Sequence, residues 1–89
     1  MITYRIHVIG RVQGVFFRAS TREKATNLEL RGWVKNQPDG SVLIEAEGDK
    51  DTLDQLIEWC KHGPPLSKVQ EVNIESIPVI GYRDFKVTY

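Results

Sequence analysis

The sequence predicts an α+β fold in which two helices cover one face of a mainly antiparallel sheet, in the order βαββαβ with an additional short C-terminal strand. Three observations predict it. Apolar residues alternate along several segments at the period of half-buried strands, they recur at helical spacing along two others, and glycine or proline punctuates the joins. At 89 residues the chain reads as a single domain over residues 1–89, with room for one two-layer core and none for a separate cofactor domain.

Residues 2–9 place Ile2, Tyr4, Ile6 and Val8 on one side and Thr3, Arg5 and His7 on the other, which is a half-buried strand. Beyond a glycine-containing loop from Gly10 to Arg18, Phe17, Thr21, Ala25 and Leu28 recur at helical spacing and leave Arg22, Glu23 and Lys24 for solvent. Gly32 to Asn36 and Val42 to Ala46 are strand-like and are joined through Pro38-Asp39-Gly40, which is turn chemistry, so a hairpin is expected.

Asp49 stands at the N-cap position of the second helix, whose buried stripe is Leu53, Leu56, Ile57 and Cys60. Lys61 and His62 suit the negative helix end, Gly63 suits a left-handed cap, and Pro64-Pro65 forbids continuation. Val72 and Ile74 then alternate with Glu71, Asn73 and Glu75, and Phe85, Val87 and Tyr89 alternate with Lys86 and Thr88 in a short final strand. This order is the split βαβ arrangement of ferredoxin-like sandwiches. Its helical crossover makes the first two strands run the same way, so Arg18 and Asn36 are expected to be neighbours.

Twelve basic side chains balance 12 acidic ones, so no global field draws in nucleic acid or an anionic membrane. The one cysteine, Cys60, cannot form an internal disulfide, and no Cys/His cluster has zinc-ligand spacing. A reducing compartment and no metal are expected. The chain opens as a strand without a leader pattern and holds no long apolar run, which points to a soluble cytoplasmic protein with no membrane partner.

The stretch Gly10-Arg11-Val12-Gln13-Gly14-Val15-Phe16-Phe17-Arg18 leads from a strand into a helix with an arginine at the junction. Loop N–H groups, the positive helix end and a guanidinium fork can all converge there on one tetrahedral anion. Asn36 ends the next strand and offers both an acceptor and donors without negative charge.

These residues resemble the first signature of the acylphosphatase family. Gly32-Trp33-Val34-Lys35-Asn36, with Gly40, Val42 and Gly48 following, is similar to its second signature, and Gly63-Pro64-Pro65 resembles its exit from the second helix. The likeness runs from about Tyr4 to Tyr89. It implies hydrolysis of the carboxyl–phosphate bond of acyl phosphates to a carboxylate and inorganic phosphate, without metal or cofactor. It assigns phosphate binding to the loop amides of Gln13, Gly14, Val15, Phe16, Phe17 and Arg18 and to the Arg18 guanidinium, and it assigns orientation of the attacking water to Asn36. The partners so implied are a small-molecule acyl phosphate and the phosphate product, acting on a monomer.

Two departures stand out. Thr88, beside Tyr89, stands near where many members carry a basic residue, so that residue's contact to the loop is not expected. Phe16 is bulkier than the residue many members have, which alters the pocket rim. His7 and His62 have no nucleophile or ligand set near them in sequence and read as structural, as does Cys60 on its helix stripe; Trp33 and Trp59 read as packing residues. Arg11 adds positive charge near the loop without a catalytic role.

The same fold serves other functions. An RNA binder needs aromatics interleaved with basic residues on its central strands, whereas Ser41-Val42-Leu43-Ile44-Glu45 has neither. A thiolate metal chaperone needs a second cysteine. A non-catalytic phosphate-binding or regulatory module and a carbamoyl-phosphate-handling domain of a larger enzyme stay open; the end of the chain directly after the domain weighs against the latter.

Overall fold

The computed structural model describes residues 1–89. β1 (Ile2–Arg11), α1 (Phe17–Asn27), β2 (Arg31–Asn36), β3 (Val42–Gly48), α2 (Lys50–Cys60), β4 (Lys68–Ile77) and β5 (Phe85–Val87) follow in sequence. The strands form one five-stranded sheet ordered β4-β1-β3-β2-β5. Every pairing is antiparallel except that of β2 with β5. This is the α+β arrangement that the alternation predicts.

Strand register explains the core. Ile6 and Val34 both oppose Ile44, and Val8 opposes Val42, so these side chains share one face and are fully buried beneath the helices. The helices reply with Phe17 and Ala25 from α1 and with Leu53, Leu56, Ile57 and Cys60 from α2, which are the predicted stripes. Burying each large apolar side chain contributes about 1.5–3 kcal/mol before conformational entropy is counted. Thr21 sits in the α1 stripe because its hydroxyl donates to the carbonyl of Phe17 at 2.7 Å, which removes the cost of burying it. The Cys60 thiol is pushed up to about 12 by burial, so it is inert as a nucleophile.

Several boundaries differ from the sequence pattern. β1 continues through Gly10 and Arg11, which oppose Val69 and Lys68 across an irregularity between Ile9 and Gly10. Backbone pairing with β4 extends both strands beyond the segments where apolar residues alternate. Ile74 faces the core side opposite Ile6 yet stays 46% exposed, because β4 is an edge strand that the helices barely cover. Leu28 lies just past α1 as its half-buried C-cap. Asp49 occupies the N-cap of α2, but its side chain makes no capping bond; the Thr52 hydroxyl donates to the Asp49 carbonyl at 3.0 Å. Gly63 takes a φ of +68°, and its N–H donates to the Trp59 carbonyl at 2.8 Å in the expected left-handed cap.

The sheet's second face is covered by the chain itself. β4 and β5 lie at opposite edges, so residues 78–84 must cross the sheet to connect them, and they cross the face away from the helices. Glu47, 2% exposed on that face, receives the backbone N–H groups of Ile80 at 2.7 Å and of Gly81 and Tyr82 at 3.0 Å, together with the Thr3 hydroxyl at 2.5 Å. Burial alone would raise the Glu47 carboxyl, but these four donors outweigh it and hold the group below the ordinary carboxylate range. Beside it, Glu45 accepts from the Tyr82 hydroxyl and from Arg5 Nε and Nη2 at 2.9 and 2.7 Å, and Trp33 Nε1 donates to the Tyr82 oxygen at 2.8 Å. Burial, then the bond to Glu45, pushes the Tyr82 phenol up to about 12.

Glu47→Gln puts an amide N–H₂ against the strap donors and is expected to cost about 2 kcal/mol in denaturant unfolding. The folded-state value of Glu47 is depressed, so its contribution is present above the ordinary value of 4.5 and is lost as pH falls through the lower folded value. Stability of the parent protein should therefore fall more steeply than that of Glu47→Gln below pH 4.5. Parallel acid profiles would refute this assignment.

Candidate active site

The end of β1, the start of α1, the end of β2 and the end of β5 meet around one open cleft of about 470 Å³. Two topological facts bring them there. β1 and β2 each run antiparallel to β3 and hence point the same way, and β5 runs parallel to β2. Val12, Gly14, Phe16, Phe17, Arg18 and Asn36 line the cleft, joined by Ala19, Arg22, Val87 and Tyr89. Arg18 and Asn36 thus share the site as the crossover argument expects.

The loop is shaped by opposite demands on neighbouring residues. Val15 and Phe17 turn into the core, and Phe17 meets the Trp59 ring at 5.4 Å between centroids. Phe16, between them, points out at 76% exposure. Such a reversal over consecutive residues needs left-handed backbone. Gly14 takes φ +73° without steric cost and Phe16 takes +65° with one. The loop N–H groups of Gln13, Gly14, Val15 and Phe16 donate to no backbone or side-chain acceptor in the protein, and those of Phe17 and Arg18 lie in the first helical turn, where no intrahelical acceptor exists. A run of unspent donors beside a helix N-terminus is a concavity chemically suited to an anion.

The Gln13 side chain has a different task. Its Nε2 donates to the carbonyls of Gln37 at 2.8 Å and Ser41 at 2.9 Å, which staples the loop to the β2–β3 turn. In that turn Asp39 receives the Ser41 hydroxyl at 2.6 Å and the Ser41 amide at 2.9 Å, and these bonds, the hydroxyl first, hold its carboxyl below the usual range. The one proton of the Ser41 hydroxyl is thereby committed, so His7 Nε2, 2.7 Å away, is the donor to the Ser41 oxygen. This trio therefore builds the turn and offers no nucleophile. Gly40, at φ +93° in the same turn, is conformational as expected.

Arg18 is half-buried and held by neutral groups. Its Nη1 donates to the Thr88 carbonyl at 3.3 Å, and its Cζ lies 4.9 Å from the centroid of the Tyr89 ring. Thr88 makes no side-chain hydrogen bond to the loop, and its link to the site is this backbone carbonyl, which any residue supplies. No ion pair involves Arg18. The Asn36 Oδ1 is buried with no hydrogen-bond partner within the protein. Asn36 lines the cleft, and a buried carbonyl left without a donor, as its Oδ1 is, carries a cost.

Arg11 ends β1 exposed and is not part of the cleft wall. His62 and Cys60 also lie elsewhere. Val12, Ala19, Arg22, Val87 and Tyr89 also line the cleft, beyond the residues the sequence places there, and Arg22 does so although its helix position reads as solvent-facing. Arg22 was legible in principle, since it stands one helical turn after Arg18 on the same side of α1.

The acylphosphatase family profile matches residues 4–87. The chain is 48% identical over 86 residues to an acylphosphatase of Methylococcus capsulatus, covering 93% of this chain and 94% of that one. Among solved structures it is similar to the crystal structure of acylphosphatase from Bacillus subtilis, with a TM-score of 0.96 at 42% identity and full coverage of both chains. It is also similar to part of full-length HypF in the phosphate- and nucleotide-bound form, with a TM-score of 0.88 at 30% identity, covering 99% of this chain and 12% of that one.

Gln13→Ala removes two hydrogen bonds to turn carbonyls that keep their backbone donors, Gly40 for Gln37 and Gln37 for Ser41, and should cost about 1 kcal/mol in unfolding. It should also weaken inhibition by inorganic phosphate, because the loop loses its staple. Unchanged stability together with unchanged phosphate inhibition would refute that role.

Proposed function

The chain belongs to the acylphosphatase family and hydrolyses acyl phosphates, and we propose that the cleft around Arg18 and Asn36 is where it does so. The phosphoryl group lies in the loop of Gln13, Gly14, Val15, Phe16, Phe17 and Arg18, where the unspent amides donate to its oxygens and the Arg18 guanidinium forks onto two of them. Arg18 keeps its full charge for that task because its protein partners are a carbonyl and an aromatic face.

The observation that carries this reading is the meeting of Arg18, Asn36 and the unspent loop amides at one cleft. The Asn36 side-chain amide hydrogen-bonds the attacking water and so aims its oxygen lone pair at phosphorus. The water oxygen bonds to phosphorus, the bond between phosphorus and the acyl oxygen breaks with its electron pair going to the carboxylate, and the water proton passes to a phosphoryl oxygen. Carboxylate and inorganic phosphate result. No Asp, Glu or His side chain lines the cleft to act as general acid or base. The leaving carboxylate needs none, since its conjugate acid has a pKa of about 4. Positioning and charge stabilisation then supply the rate.

In the same reading the protein is a cytoplasmic monomer of one domain, residues 1–89, that uses no metal or cofactor and meets a small-molecule acyl phosphate, not nucleic acid. Balanced charge, a single cysteine and the apolar core shared by all the elements support this. No helix is long and apolar enough to cross a membrane.

Arg18→Ala and Asn36→Ala should each lower turnover of benzoyl phosphate by about 10²-fold or more, the range for loss of an oriented transition-state group. Near-normal turnover in folded Asn36→Ala would remove its water-positioning role. Inorganic phosphate should compete with substrate, since both occupy the loop; purely non-competitive inhibition would place the phosphoryl group elsewhere.

A further inference from the structure

The cleft holds one more cation than phosphoryl binding requires. Arg22 lines it together with Arg18 and Ala19, all three on one side of α1. Arg22 is exposed and pairs with no carboxylate, and no Asp or Glu side chain lines the cleft. A charged residue that faces a substrate cleft without a partner is free to meet charge on the substrate.

Burial separates the floor of the cleft from its rim. Val12 and Phe17 are buried and Arg18, Asn36 and Val87 half-buried, whereas Phe16, Ala19, Arg22 and Tyr89 are exposed. In-line displacement fixes which part of the substrate goes where. The acyl oxygen departs opposite the water, away from Asn36, so with the phosphoryl group in the loop the acyl chain lies along the rim. There it meets the Phe16 and Tyr89 rings and the Arg22 guanidinium. Cβ atoms four residues apart on a helix are separated by about 5–6 Å. The extended span from the phosphorus of an acyl phosphate to a second oxyanion two methylenes beyond its carbonyl is somewhat longer, and the long flexible Arg22 side chain at the exposed rim makes up the difference.

Resting on the phosphoryl placement given above, we propose that Arg22 determines acyl-group specificity and favours acyl phosphates that carry a distal oxyanion. The guanidinium forks onto that group as Arg18 does onto the phosphoryl group. The site then reads both ends of a doubly anionic substrate with two arginines one helical turn apart, while an uncharged acyl chain meets only the aromatic rim.

Succinyl phosphate and butyryl phosphate test this, because they match in length and differ in a terminal carboxylate against a methyl. The kcat/KM ratio of succinyl to butyryl phosphate should fall about tenfold in Arg22→Gln and be mostly retained in Arg22→Lys. Added salt should narrow the preference of the parent enzyme, since the pair forms at an exposed rim. An unchanged ratio in Arg22→Gln would overturn the proposal, as would an equal loss on both substrates. Arg18→Ala separates the two levels of inference: loss of both activities there with an unchanged ratio in Arg22→Gln sinks only the specificity role. Retained activity in Arg18→Ala sinks the phosphoryl placement itself.

Discussion

A buried carboxylate on the side of the sheet away from the helices holds the architecture together. The chain must return from β4 at one edge to β5 at the other, and a strap that crosses a sheet carries backbone N–H groups that neither sheet nor helix can satisfy. Glu47 satisfies three consecutive ones, those of Ile80, Gly81 and Tyr82. Burying an ionised carboxylate is costly by itself, and here the four donors that converge on it make the charge tolerable. The strap and the carboxylate each solve the other's problem.

The consequence reaches the cleft. The strap delivers β5 alongside β2, where the Gly32 amide donates to the Asp84 carbonyl at 2.8 Å and the Thr88 amide to the Val34 carbonyl at 2.8 Å. Those bonds fix the backbone whose next carbonyl receives Arg18 and whose last ring lies beside it. One wall of the cleft is therefore set from the opposite face of the sheet. The other wall is set by Gln13, which ties the loop to the hairpin that ends β2 at Asn36. Arg18 and Asn36 are oriented by separate devices, both built from hydrogen bonds to backbone.

The layer order, both helix stripes and the pairing of Arg18 with Asn36 were legible in the sequence, because each follows from periodicity or from the direction of a crossover. The strap was not. Thr3, Glu45 and Glu47 alternate with apolar residues like any solvent-facing set, and nothing local distinguishes a carboxylate that meets water from one that meets three amides of a segment more than thirty residues away. The extent of β1 and β4 was also hidden, since edge pairing needs backbone and not side-chain pattern. The Thr88 carbonyl contact to Arg18 was hidden for a related reason, since backbone groups leave no side-chain signal. Asn36 was readable as a residue but not as an orphan, because its unpaired Oδ1 is a property of packing.

Strand alternation also sorts the charges. β3 carries two glutamates, and the period of two sends both to the strap face, where Arg5, Thr3, Tyr82 and backbone amides engage them. The helix face of the same strand presents Val42, Ile44 and Ala46. The β3 carboxylates are thereby kept off the face that carries Asn36 and the cleft, and a shift of register by one residue would exchange the two sets. Under the proposed reading the same logic favours an amide at Asn36, since a carboxylate there would repel phosphate and pair with Arg18. The cleft holds two arginines and no carboxylate, and the sheet has put the glutamates of β3 behind it.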